Sequence, residues 1–222
     1  MNKLTQIFLV AVALGHSAYL WAQTSDPTEV LTAEAARSVV SSFIESTESY
    51  HAKFTQTLQN EAGEILEEET GQLWLQRPGK FRWEYAIPWE RQIVANDADI
   101  WLYDAELEQI TVRSAEGALQ ESPAALLVGD TSALDSYSIS GVRTADGFTL
   151  VNLEPLTGQG DFQLISLGFE AGKLVALELH DRFGQLTLIR FSSIVRNPAL
   201  QQSLFDFELP DGADVIDQRI DR

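Results

Sequence analysis

The sequence predicts an α+β fold that is mainly β: an incomplete antiparallel barrel of about eleven strands, plugged or lidded by helices. Three observations predict it. Apolar and polar residues alternate with a period of two from Tyr50 onward. Turn signals such as Asp146-Gly147, Ala171-Gly172 and Phe183-Gly184 recur at the spacing of antiparallel meanders. Only two segments carry a helical pattern, and two helices cannot cover both faces of so many strands, so the sheet must close on itself or curl around them.

Before the fold begins, Asn2 and Lys3 precede an apolar run from Ile7 to Leu14, and small or apolar residues follow to Ala22. That layout is a secretory signal peptide, assigned to residues 1–22. Its apolar core of about eight residues is far short of the roughly 18 to 20 that span a bilayer, so the mature chain is expected to be soluble. With 45% hydrophobic residues and no internal repeat or linker, residues 23–222 are expected to form a single domain.

Asp26-Pro27 with Glu29 predicts a helix start, and Leu31, Ala35, Val39 and Phe43, with Val40 and Ile44 beside them, predict a helix over 27–46. Tyr50, Ala52, Phe54 and Leu58 then share one phase of a strand. Further strands are predicted over 64–76, 80–86, 90–95, 99–103, 109–113, 136–142, 148–153, 162–170, 174–180, 185–195 and 205–209. Ser122-Pro123 introduces a short apolar helix through Leu126, Leu127 and Val128, which Gly129 ends.

Removing the signal takes away Lys3 and no acid, leaving 33 acids against 14 bases, a net charge of −19. Such a surface repels nucleic acid and anionic headgroups, so neither is expected as a partner. The absence of cysteine excludes disulfides, thiolate sites and a cysteine nucleophile. It also excludes the N-terminal lipidation of a bacterial lipoprotein, so no anchor is expected.

An enzyme reading finds little to build on. His51 and His180 fall at polar-phase strand positions and are expected to face solvent, and no nucleophile elbow, zinc-binding helix or phosphate loop is present. Glu67, Glu68 and Glu69 look acidic enough for a metal, but successive strand side chains point to opposite faces, so a solvated or edge-protecting charge run is expected. No catalytic residue, metal or cofactor is predicted. Leu73, Leu75, Arg77, Phe81, Trp83 and Tyr85 are more informative: if Pro78-Gly79 keeps the phase, they share one face, and Arg77 is its single polar member. Arg77 either snorkels from a strand end or reaches helix carbonyls and latches them; the residues alone favour snorkelling.

Phe54-Thr55-Gln56, the block from Gly71 through Arg77-Pro78-Gly79-Lys80-Phe81-Arg82-Trp83-Glu84-Tyr85, Ile100-Trp101-Leu102-Tyr103-Asp104, Gln109-Ile110-Thr111-Val112 and the ending Phe205-Asp206-Phe207-Glu208-Leu209-Pro210 with Gly212, Asp214, Val215 and Ile216 together resemble the periplasmic outer-membrane lipoprotein carrier protein family. The resemblance implies an incomplete antiparallel barrel with a helical lid over an apolar cavity, and a monomeric periplasmic chaperone. It would take lipoproteins from an ATP-driven inner-membrane release complex and deliver them to an outer-membrane receptor that is itself a lipoprotein. It implies that Arg77 is a lid latch, against the reading of the residues alone. It implies an acyl-chain cavity, expected to be lined by Phe54, Leu73, Leu75, Phe81, Trp83, Tyr85, Leu126 and Leu127. Asn96-Asp97-Ala98-Asp99 departs from the family's usual Asp-Gly, and Ala98 makes a left-handed turn harder there. An envelope lipid-binding sensor or regulator of the same fold is the alternative, although no extra domain is visible; an acid-dependent hydrolase is the enzymatic one.

Overall fold

The computed structural model describes residues 28–115, 124–129, 131–143, 147–157 and 161–219. The signal peptide, the helix start at Asp26-Pro27, the Ser122-Pro123 cap and Asp146 lie outside the described residues. The chain order is β1 (Glu29–Leu31), α1 (Ala33–Ser46), β2 (Ser49–Gln59), β3 (Ile65–Gln76), β4 (Lys80–Ile87), β5 (Arg91–Ala95), β6 (Asp99–Asp104) and β7 (Gln109–Ser114). It continues through α2 (Ala124–Val128), β8 (Tyr137–Arg143), β9 (Phe148–Pro155), β10 (Phe162–Glu170), β11 (Lys173–Asp181), β12 (Leu186–Arg196) and β13 (Asp214–Asp217).

All thirteen described strands form one sheet in the order β1-β8-β9-β10-β11-β12-β2-β3-β4-β5-β6-β7-β13. β1 and β13 stand at opposite ends of that order, so the barrel is open as predicted. Every pair is antiparallel except β13, which runs parallel to β7. Register shifts interrupt β10, β12, and the pairings of β3 with β2 and with β4. Bulges of this kind bend strands and increase twist, which curls the sheet around the helices.

Two predicted elements are corrected. α1 starts at Ala33, where the Thr32 side chain accepts from the Ala35 backbone N–H at 3.1 Å, rather than at residue 27. Thr32 wins because Glu29, Val30 and Leu31 are held extended against Arg143, Val142 and Gly141 of β8. Phe205–Leu209 is not a strand: Gln202–Phe205 is a 3-10 turn, Phe205 is buried, and Phe207 stacks 6.0 Å from Trp101 on the outer face. An alternating apolar pattern thus docks onto a sheet without joining it. At the departure from the family pattern, the Asn96 side chain accepts from the Ala98 and Asp99 N–H groups at 2.9 and 3.0 Å, and Ala98 needs no positive φ.

The core lies on the concave face. α1 buries Ala36, Val40, Phe43 and Ile44 against it, and α2 buries Leu126, Leu127 and Val128. Phe43 sits 5.5 Å from Phe169 and 6.0 Å from Tyr50, and an edge-on aromatic series continues through Phe191 to Trp83. At Gly71 an added Cβ would lie 1.9 Å from the Glu84 carbonyl oxygen and 2.6 Å from the Phe54 ring, so only glycine lets β4 and Phe54 approach this closely.

Candidate functional site

The inner face of β2 to β5 carries the predicted site. Cross-strand pairs set it: Tyr50 with Leu75, Ala52 with Leu73, Phe54 with Gly71 and Gln56 with Glu69 join β2 to β3. Leu75 with Phe81, Leu73 with Trp83 and Gly71 with Tyr85 continue to β4, and Phe81 with Ala95, Trp83 with Ile93 and Tyr85 with Arg91 to β5. Because strand side chains alternate, these residues share one face. Phe54, Leu73, Leu75, Phe81 and Trp83 are each buried, as are Leu126 and Leu127 above them. Tyr85 is half-buried beside them, its ring 5.2 Å from Phe54. The structure therefore brings seven of the eight apolar candidates into one buried core, with Tyr85 packed against it.

Arg77 follows β3 and faces this core rather than solvent. Its Nε donates to the Thr47 carbonyl at 3.0 Å, at the C-terminal end of α1, and its Nη1 donates to the Leu127 carbonyl of α2. Its guanidinium lies 5.4 Å from the centre of the Phe43 ring. One side chain thus ties the ends of both helices to the sheet. Gly79 N–H adds a bond to the Val128 carbonyl at 3.0 Å. Burial pulls the Arg77 guanidinium down to about 10, still charged at neutral pH, with carbonyl oxygens and an aromatic face in place of a carboxylate. Asn197 braces the same junction: its side chain accepts from Glu48 N–H at 2.8 Å and donates to the Ser46 carbonyl at 3.0 Å.

Sequence reasoning missed the opposite end of the face. Glu69 is only 2% exposed, so the expected solvated charge run holds for Glu67 and Glu68 but not for it. Its carboxylate pairs with Arg91 and accepts from Gln56 Nε2 at 2.8 Å. Tyr85 Oη donates to Gln56 Oε1 at 3.2 Å, and the Arg91 guanidinium lies 4.7 Å from the Tyr85 ring centre. Desolvation, outweighing Arg91, raises the Glu69 carboxyl above its ordinary value, and burial pushes Tyr85 up to about 12. The available signal was phase: counting back by two from Leu75 through Leu73 and Gly71 reaches Glu69. His51, by contrast, stacks 5.0 Å from Trp74 on the outer face, and His180 lies 3.6 Å from Glu178.

The profile described as outer membrane lipoprotein carrier protein LolA matches residues 45–208. This chain belongs to the outer membrane lipoprotein carrier family. Among its relatives, the outer-membrane lipoprotein carrier protein of Methylobacillus flagellatus is 39% identical over 88% of this chain and 91% of its own. That of Dechloromonas aromatica is 40% identical over 78% of this chain and 84% of its own. An uncharacterized conserved protein from Thermus thermophilus shares the fold, with a TM-score of 0.53 at 16% identity over 85% of this chain and all of that one. In this lipoprotein carrier family member, aromatic and aliphatic residues share the inner face from Gly71 to Leu75 on β3 and from Phe81 to Tyr85 on β4.

Proposed function

We propose that this protein is a periplasmic lipoprotein chaperone that holds acyl chains on the inner face of β2 to β5 while the peptide stays in water. It accepts cargo from an ATP-driven release complex of the inner membrane and yields it to a receptor lipoprotein of the outer membrane. The observation that carries this reading is the pair of hydrogen bonds from Arg77 to the Thr47 and Leu127 carbonyls, which ties the ends of both helices to an apolar face.

Competition explains loading and unloading. Each buried CH₂ of an acyl chain gains about 0.8 kcal/mol, so one long chain gains on the order of 10 kcal/mol. The two Arg77 bonds hold with only about 1 to 3 kcal/mol together. Cargo can therefore open the lid, but it must displace Phe43, Leu126 and Leu127 from the face it takes, which returns most of its gain. That near balance lets the closed state expel cargo to a receptor, with the latch biasing the equilibrium toward closure.

The test is a release assay with spheroplasts carrying labelled outer-membrane lipoproteins. Mature protein draws them into a soluble complex, and Arg77→Leu still does so but transfers poorly to the receptor. Failure of the unaltered protein to solubilise any lipoprotein refutes the carrier reading; normal transfer by Arg77→Leu refutes the latch alone.

A further inference from the structure

At its Tyr85 end the inner face holds two buried hydrogen-bond donors that the fold leaves unmet, and at the latch end Arg77 Nη2 and Thr47 Oγ1 are likewise unpartnered among the described residues. Neither Trp83 Nε1 nor Arg91 Nε has a hydrogen-bond partner among the described residues, although both atoms are shut off from solvent and Trp83 as a whole is only 8% exposed. A buried unmade donor is a free-energy cost that a native fold avoids unless another group meets it. The two sit close together on the sheet: Tyr85, which pairs with Arg91, lies two residues from Trp83 on the same face, with their rings 6.4 Å apart. Glu69 and the Tyr85 ring hold the Arg91 guanidinium so that Nε stays out of solvent, although the side chain as a whole is 38% exposed. The surroundings are apolar on one side, with Phe54 5.1 Å from Trp83 and Leu73 paired opposite it, and polar on the other, where Gln56, Glu69 and Tyr85 bond among themselves.

A ligand that fits such a boundary is apolar along most of its length and carries acceptor oxygens at one end. Acyl chains joined by ester or amide linkages have that form, since the carbonyl is the acceptor nearest the hydrocarbon. We propose that Trp83 Nε1–H and Arg91 Nε–H form a carbonyl subsite for the ester and amide oxygens at the head of the bound acyl chains. This deepens the carrier reading and rests on it. The subsite also sets a direction. From Tyr85 to Phe81 is four residues, roughly 13 Å of strand, so the tails run toward Arg77 and the helices. The peptide then leaves past the β2–β3 and β4–β5 hairpin tips, where Ile65, Leu66, Ile87 and Trp89 are exposed.

The test compares two probes with the full mature protein: a long-chain diacylglycerol, and an alkane of matched hydrocarbon length. The unaltered protein prefers the diacylglycerol, and Trp83→Phe reduces that preference roughly 2- to 10-fold, the worth of one hydrogen bond. The paired change Glu69→Gln with Arg91→Met, which removes both charges together, reduces it by a similar factor and serves if Trp83→Phe does not fold. With a ¹³C-labelled ester, the bound carbonyl stretch lies at lower frequency in the unaltered protein and moves back up in either variant. A preference and a stretch that no variant changes overturn the subsite while leaving the carrier reading intact. Failure of the unaltered protein to bind either probe overturns both.

Discussion

Arg77 and Arg91 stand at the two ends of one inner face, and they are held in opposite ways. Arg77 is bonded to carbonyls and a ring, with no carboxylate among the described residues near enough to pair. Arg91 is paired with a buried carboxylate that a second side chain also holds. Breaking the first arrangement exposes a cation and two carbonyls that water hydrates readily. Breaking the second strands Glu69 in a site where it cannot be solvated. The Arg77 end is therefore suited to opening and the Arg91 end to staying fixed, which is what a lidded carrier with one moving side requires.

The apolar floor between the two arginines sets the largest expected effect. Leu73→Ala removes a fully buried side chain beneath the helices and should cost about 2 to 5 kcal/mol in denaturant unfolding. A loss below about 1 kcal/mol would mean that the floor is loosely packed even when closed. Arg91→Ala comes next. It strands the Glu69 carboxylate, although the Arg91 side chain is 38% exposed and water tempers the loss, so about 2 to 3 kcal/mol is expected. Adding Glu69→Gln should restore most of it, and a double variant no better than the single would show that Arg91 matters through packing instead.

Arg77→Lys keeps the charge but cannot reach Thr47 and Leu127 together, so about 1 to 2 kcal/mol should be lost. Hydrogen exchange should localise that loss to α1 and its junction with β2, and a loss spread evenly over the sheet would contradict the contrast between the two ends.

The smallest effect is one of pH. Because the folded Glu69 carboxyl titrates above its unfolded value of 4.5, the fold binds the extra proton, and its contribution is full below that value. The contribution is lost as pH rises through the folded value. Unfolding midpoints across a pH series should thus fall in the native protein relative to Glu69→Gln over this window, and parallel curves would show that Arg91 fully offsets the desolvation.

The legible parts of this chain were those where local pattern and tertiary environment agree. The meander from Tyr50 to Arg196 followed from period-two alternation and turn chemistry, down to Ala171-Gly172, whose positive φ values form the β10–β11 turn. The odd-phase face from Leu73 to Tyr85 followed from the same alternation, since a strand fixes side-chain direction without help from the rest of the fold. The family block added that Arg77 turns inward, which the residues alone did not favour.

Three features were decided only by the tertiary structure. Thr32, not Asp26, caps α1, because β8 captures the preceding three residues. Phe205–Leu209 alternates like a strand yet packs on the outer face, because the ladder beyond β7 is taken by Asp214–Asp217. Glu69 is buried because Arg91 and Gln56, 22 and 13 residues away in sequence, are brought to it by strand pairing. By itself the sequence determined which side each strand residue faces, a local property of an extended backbone. Whether a charged side chain on that side meets water, a carbonyl or a counter-ion depends on neighbours distant in the chain, so only the assembled sheet could decide it.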